Sequence, residues 1–497
     1  MYKQFTHVKS STSSANILFF SRASSVNDCR TLEKSPHSAL LRSRRETMNS
    51  HEPNSMLRCT PKHKLLIVIM VICVSGWALF CFLQGATGWF DYSDPMFETE
   101  WSGQCGRNVT GETAVPVRDS EAFLMSAFLD ERVAAGTLRV IGVAHRTSLQ
   151  RLYCHVCTGT KVFTSPTQVL LHSDHFGFPY TTADFLCQVP KKAGQALAVS
   201  ITTQRLPDPA DSFLQIHDTA RPASMAPLPR QFSVCISTLF GNYSNILQFV
   251  QSMEMYRILG AEKVFVYKTD CSPLLQKFLD HYSSQGLLEV VAWDVGRHLR
   301  MSNSYKPSLG PGDLHYHGQI AALNDCIYRN MASSTYVVLL DMDEVIVPRM
   351  HHSWVDMMAF LSLHHLDVAS FTFENSVFRY DVSGDGGRFD IWPTVPGVNI
   401  LRHVHREPLR PYVFNACKLV LNPRAVVWTS VHNTLWQHGA TLRVPSSVAR
   451  LHHYRSPDDI LVQRSQLVRD TTLWKYSSPL IRNVNHTLSQ VLRPSGA

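Results

Sequence analysis

The chain holds 497 residues, 44% of them hydrophobic and 17% charged, with a formal net charge of +8. That is an ordinary globular composition with room for two or three domains. Residues 1–64 carry 11 Lys and Arg against 4 Asp and Glu, and the remainder carries 36 against 35; a basic nucleic-acid footprint is therefore excluded.

Residues 1–64 are rich in Ser, Thr, Arg and Asn and lack sustained periodicity, which predicts a disordered cytosolic tail. Residues 65–84 then open with LLIVIMVICVSGWALFCFL, and no charge appears until Asp91. Such a run spans roughly 28 Å as a helix, about one bilayer core, and predicts a transmembrane signal-anchor. Lys62, His63 and Lys64 precede it and the next basic residue is Arg107. The positive-inside rule puts the amino terminus in the cytosol and the rest across the membrane. Asn108, Asn242 and Asn485 head glycosylation sequons beyond the span, as do 8 of the 12 cysteines. Both agree with an oxidising compartment. The lone Cys154-x-x-Cys157 has no second pair to build a zinc site, so disulfides or core thiols are expected.

Residues 85–114 are expected to form a luminal stem. Over 115–229, short strand candidates at 137–144, 152–157, 161–164 and 196–202 are separated by turn residues and predict a small β-sandwich, a support or a carbohydrate binder. Pro207, Pro209, Pro222, Pro227 and Pro229 mark a linker.

From 230 to 460 the rhythm changes. Strands are predicted at 232–240, 263–267, 287–293 and 336–340, with helices at 245–259, 274–282 and 317–331 between them. Gly260 is placed to cap the first helix. Strict alternation predicts an α/β domain with a parallel sheet and helices on both faces. The fourth strand runs into Asp341-Met342-Asp343-Glu344. Paired carboxylates just past a strand's carboxyl end lie where open α/β sheets bind ligands, and can share a hard divalent cation with phosphate oxygens. Residues 461–497 are expected to be a C-terminal extension.

The segment His317-Gly-Gln319-Ile-Ala-Ala-Leu-Asn324-Asp325-Cys326, the strand into Asp341-x-Asp343-Glu344, and Leu451-His452-His453-Tyr454-Arg455 together resemble glycosyltransferase family 92, over roughly half the chain. The resemblance implies a Rossmann-like GT-A fold and an inverting galactosyltransferase. UDP-galactose would be the donor, and a glycan on a glycoprotein or glycolipid the acceptor, with a β1,4 bond to galactose. It leaves open another UDP-sugar, a fucose acceptor, or an inactive membrane-anchored glycan-binding protein. The tail and span are similar to those of Golgi type II enzymes, implying a Golgi membrane location; a homodimer is left open.

In that frame Mn²⁺ or Mg²⁺ is expected on Asp343, with Asp341 sharing it or meeting the ribose or the metal through water. A late histidine ligand is expected at His453, ahead of His432 and then His452. Asp270 and the 240–242 turn are placed to meet the uridine. Gln319, Asn324 and Asp325 are expected near donor phosphate or sugar, and Lys418 and Arg455 near phosphate charge. An inverting transfer needs a carboxylate base; Glu374 is preferred, then Asp381, with Asp385 and Asp390 in the same segment.

Overall fold

The computed structural model describes residues 95–492 apart from 101–108, 133–135, 191–193, 209, 220–226, 411–412 and 458–461. The predicted tail, the predicted transmembrane span at 65–84 and Asn108 lie outside the described residues. Among the described residues no helix is long and apolar enough to cross a membrane.

The first region is all β: β1 (Phe97–Glu100), β2 (Val109–Thr110), β3 (Val115–Pro116), β4 (Ala122–Asp130), β5 (Thr137–His145), β6 (Tyr153–Cys157), β7 (Lys161–Pro166), β8 (Gln168–Leu171), β9 (Tyr180–Gln188), β10 (Ala198–Thr202) and β11 (Phe213–Asp218). They join in one hydrogen-bonded path, β1-β7-β6-β10-β11-β4-β5-β9-β8, with β2 on β11 and β3 on β4. The Cys154–Cys187 disulfide ties β6 to β9, distant in that path, so the sheet curls around its own core of Leu138, Val140, Val156, Phe185 and Val199. The strands expected to form a sandwich lie on one continuous hydrogen-bonded path, in which β11 pairs with β10 on one side and β4 on the other. The expected stem supplies β1 and β2, and the Pro-rich stretch read as a linker contains β11.

The second region begins with β12 (Arg230–Leu239), α1 (Ile246–Leu259), β13 (Lys263–Lys268), α2 (Pro273–Ser284), β14 (Leu288–Ala292), α3 (Gln319–Arg329) and β15 (Ser334–Leu340). Each helix returns the chain to the same sheet end, so these four strands pair in parallel. Gly260 caps α1 in the left-handed conformation at φ 108°, as its place in the sequence predicts. Then follow β16 (Glu344–Pro348), α4 (Trp354–His364), β17 (Val368–Phe373), β18 (Asn375–Arg379), β19 (His405–Arg406), β20 (Lys418–Leu421), β21 (Val426–Thr429), β22 (Thr434–Gln437), β23 (Ala440–Arg443), β24 (Ala449–Arg455), β25 (Val468–Arg469) and α5 (Ser477–Val491).

The large sheet runs β14-β13-β12-β15-β20-β17-β23. It is mixed rather than parallel throughout: β20 is antiparallel to both its neighbours. A second sheet runs β16-β24-β18-β19-β25. The chain leaves the large sheet at Leu340 and enters the small one at Glu344, so the Asp341–Asp343 turn is the bridge between them. The stretch expected to be a C-terminal extension packs inward: Leu480, Val484 and Leu488 of α5 share the core of α1 and β16.

Candidate active site

Asp341 directly follows β15, and three groups from distant parts of the chain converge on its carboxylate. Lys418 at the start of β20 donates to Oδ2 at 2.5 Å. Ser237 of β12 and Gln319 of α3 donate to Oδ1 at 3.0 and 3.2 Å. Gln319 also donates to Ser237 at 2.8 Å, locking the trio. Burial works against the charge of Asp341, but the adjacent Lys418 ammonium prevails and the pKa falls to about 2. Lys418 also lies 3.1 Å from Glu344, whose Oε2 accepts the Asp341 N–H at 2.9 Å. Burial raises the Glu344 carboxyl against the pull of Lys418. Lys418, expected near phosphate, is instead a buried tie between two acids.

Asp343 stands apart from this cluster, with a third of its side chain open to solvent (33%). Its Oδ2 lies 3.3 Å from His453 Nε2 on β24. The register explains the meeting, since Glu344 is paired directly with His453. Burial lowers the His453 pKa, but Asp343 and Glu344 outweigh it and the net shift is upward.

A divalent cation suits the Asp343–His453 pair. Adjacent ligands at about 2.1 Å from an octahedral ion sit about 3 Å apart, close to the observed spacing. Among the described residues no three His, Cys, Asp or Glu side chains form a ready-made metal cluster. Mg²⁺-type ions take one or two protein carboxylates and complete their shell with phosphate and water. Two buried polar atoms here lack partners, Tyr243 OH and Asn375 Oδ1. The Asn375 amide nitrogen lies 3.4 Å from His453 Nδ1, and Tyr243 feels the charge of Asp343. Orphaned buried polar atoms mark a place shaped for a ligand or water.

The loop before α3 is bent by three successive residues with positive φ: Tyr316 (35°), His317 (53°) and Gly318 (75°). The helix predicted from 317 therefore starts at Gln319. Thr238 Oγ1 and Trp293 Nε1 hold the carbonyls of Tyr316 and His317 at 2.9 and 3.0 Å. The bend stacks His317 on Phe240 at 4.3 Å, beside the β12 end. Asp270, at the end of β13, accepts the Asn242 N–H at 2.8 Å. Phe240, Asp270 and His317 thus occupy the β12–β13 end, where the uridine is expected.

Residues 230–489, more than half the chain, match the sequence profile of glycosyltransferase family 92. The chain belongs to this family. A glycosyltransferase family 92 protein of Caenorhabditis elegans is 28% identical over 182 residues, 36% of this chain and 34% of the relative. The beta-1,4-galactosyltransferase galt-1 of the same organism is 27% identical over 120 residues, 24% of this chain and 25% of that one. The chain thus aligns with about a third and a quarter of the lengths of these relatives. Among solved structures, glucosyl-3-phosphoglycerate synthase from Mycobacterium tuberculosis with Mn²⁺, UDP and glucosyl-3-phosphoglycerate is 11% identical, covering 54% of this chain and 82% of that one, with a TM-score of 0.23. GalNAc-T7 with UDP, GalNAc and Mn²⁺ is 12% identical, covering 57% and 50%, with a TM-score of 0.25. Likeness at these scores is too slight to bear on fold or function.

Within the family 92 region several expected residues lie elsewhere. Asn324 is buried and holds Thr429 through both its N–H and its carbonyl, and Asp325 is buried against Arg329 and Tyr267. Neither is brought to the Asp341 turn. Glu374 accepts from Arg450 at 3.1 Å, with Arg443 3.5 Å away. Arg450 and His452 share one face of β24 and His453 and Arg455 the other, so Glu374 lies on the face away from Asp343. Burial holds His452 neutral on that far face, with its pKa near 3. His432 anchors on the Cys417 carbonyl at 2.9 Å, and burial beside Lys418 lowers its pKa to about 4. Asp381 is held by both arms of Arg379 at 2.9 and 2.7 Å, which lowers its pKa. Asp385 accepts the Phe389 N–H at 2.8 Å and Asp390 pairs with Arg402 at 3.1 Å. Ser237, Tyr243 and Asn375 carry no motif of their own and are visible only once the fold assembles them.

Proposed function

We propose that this glycosyltransferase has a GT-A catalytic domain and moves galactose from UDP-galactose, with inversion, to a glycan, forming a β1,4 bond to a terminal β-galactoside. The observation that carries the reading is the open Asp343–His453 pair beside the locked Asp341, at the carboxyl end of β15. The donor and linkage rest on the likeness to a beta-1,4-galactosyltransferase. Mn²⁺ or Mg²⁺ bound through Asp343 and His453 would offset the pyrophosphate charge as UDP leaves. Asp341, fixed by Lys418, Ser237 and Gln319, orients the turn that carries Asp343. Arg455, on the same face of β24 as His453, attracts the phosphates, and Asp270 with the Phe240–His317 stack receives the uridine. Glu374 and then Asp381 stay the carboxylates proposed for the acceptor proton, and each would have to be released from its arginine, Arg450 or Arg379, to take it.

The disulfides Cys154–Cys187 and Cys235–Cys326 support a luminal setting beyond the predicted anchor at 65–84, as in a Golgi type II enzyme. The test uses the full chain with Mn²⁺, a panel of UDP-sugars, and galactose- and fucose-terminated glycans. UDP release from UDP-galactose should need both metal and acceptor and fall at least about 100-fold in Asp343→Asn. Turnover that is indifferent to metal, or unchanged in Asp343→Asn, would sink the proposal.

A further inference from the structure

Tyr316 and His317 both hold a positive φ, which residues other than glycine keep only where surrounding contacts over-determine it. The catalytic region supplies part of that hold. Thr238 and Trp293 bind the two carbonyls, and His317 Nε2 lies 2.9 Å from Asn303 Oδ1. The β-rich region supplies another part, through the loop between β8 and β9.

That loop is internally braced. The Phe178 N–H binds the His175 carbonyl at 2.9 Å, the Gly177 N–H binds His175 Nδ1 at 3.0 Å, and His175 Nε2 meets Arg146 at 3.1 Å. At its exit the Tyr180 N–H donates to the Asp313 carbonyl at 3.1 Å, pinning the loop to the catalytic region. Between these anchors Phe176 lies flat on His315, with centroids 4.5 Å apart and planes at 16°. Phe178 meets the same imidazole edge-on at 6.2 Å. His315 and Phe178 are buried, whereas Phe176 is 37% exposed.

His315 immediately precedes the strained pair, and the ring contacts continue from it to the nucleotide end. It meets Tyr316 edge-on at 4.9 Å, Tyr316 lies 6.3 Å from Phe240, and Phe240 stacks on His317 at 4.3 Å. Packed rings on a strained backbone pass a displacement along, because neither has room to absorb it. A shift of His315 therefore reaches the Phe240–His317 stack.

We infer that Phe176, supplied by the β-rich region, is a positioning residue for the donor nucleotide: it clamps His315 and so fixes the bend that sets the Phe240–His317 stack. The β-rich region is then part of donor binding and not a support alone. This rests on the transferase reading above, and its test is separable from it.

The full chain with Mn²⁺ is titrated with UDP. Donor KM, acceptor KM and Tm are measured alongside, and hydrogen exchange is followed over residues 313–320. Phe176→Gly removes the ring at a φ of 52°, which glycine adopts freely, so the loop backbone is not forced to move. UDP affinity should fall and donor KM rise about tenfold, with faster exchange over 313–320 and with acceptor KM and Tm unchanged. Phe176→Tyr, which returns a flat ring to His315, should restore UDP affinity. Unchanged UDP affinity in Phe176→Gly would overturn the inference. So would a loss spread equally over donor KM, acceptor KM and Tm, the mark of a ring that only seals the contact between the two regions. A wild type that binds UDP but transfers no sugar would sink the transferase reading, while the UDP titration of Phe176→Gly would still decide this inference. A wild type that binds no UDP would overturn both.

Discussion

Lys418 illustrates what one side chain does here that its local sequence cannot reveal. It is 3% exposed and ties Asp341 to Glu344, the latter 2% exposed. Its partner Asp341 is 77 residues away, so only the folded sheet brings them together. Breaking a buried pair leaves an uncompensated charge, which costs about 3–5 kcal/mol. Lys418→Met should therefore destabilise the protein by about 3 kcal/mol, toward the low end because Asp341 is partly open to water. Urea unfolding measures this, and a loss under about 1 kcal/mol would mean the two acids are solvated rather than tied. Asp341, Gln319 and His453 were legible as a site because each lies in a recognisable stretch. Asn324 looked equivalent to Gln319, yet five residues turn a helix by about 140° and aim it at another partner.

At the scale of elements, strand alternation decides the chemistry of β24. His453 and Arg455 face the carboxylate turn, while Arg450 and His452 face a separate polar cluster that includes Asp470 and Arg406. The sequence showed His-His-Tyr-Arg but not which face met the site, since that depends on the β16 and β18 registers. Asp470 organises the far cluster. It accepts from Thr472 Oγ1 at 2.6 Å and from Arg406 Nε at 3.2 Å, and it is 5% exposed. Burial opposes its charge, but the Thr472 bonds and nearby cations win, and its pKa drops from 3.8 to about 2. A lowered folded-state pKa gives stability that is complete above the unfolded value and drains away as pH falls toward the folded one. Asp470→Asn should therefore cost about 2 kcal/mol at pH 6 and about half of that at pH 3. Denaturant unfolding at both pH values checks the sign; a penalty that grows on acidification would place the interaction elsewhere.

For the whole molecule, the alternating pattern gave the order of the first four catalytic strands because periods of 2 and 3.6 are written locally. The antiparallel insertion of β20 and the joining of β11 to β4 depend on partners far along the chain, and proline-rich flanks hid β11. The same non-local pairing makes the two regions one folding unit. Met125, Phe128, Ile141 and Val143 of the β-rich region share a core with Cys235, Trp293, Tyr328 and Leu419 of the catalytic region. Arg132 crosses between them, donating to Tyr328 OH at 2.7 Å and to the Val426 carbonyl at 2.6 Å while paired with Asp130. His172 stacks on Trp428 at 5.0 Å. An interface this apolar and this polar-locked does not behave like a loose domain contact. A fragment beginning at residue 230 keeps the whole family 92 match but strips one face of α3, exposing Ala321 and Tyr328. It should lack near-UV CD and a cooperative thermal transition, whereas a fragment beginning at residue 95 should melt in a single step. A cooperative melt of the 230–497 fragment would show instead that the catalytic region is self-sufficient and that the shared core is not needed for its folding.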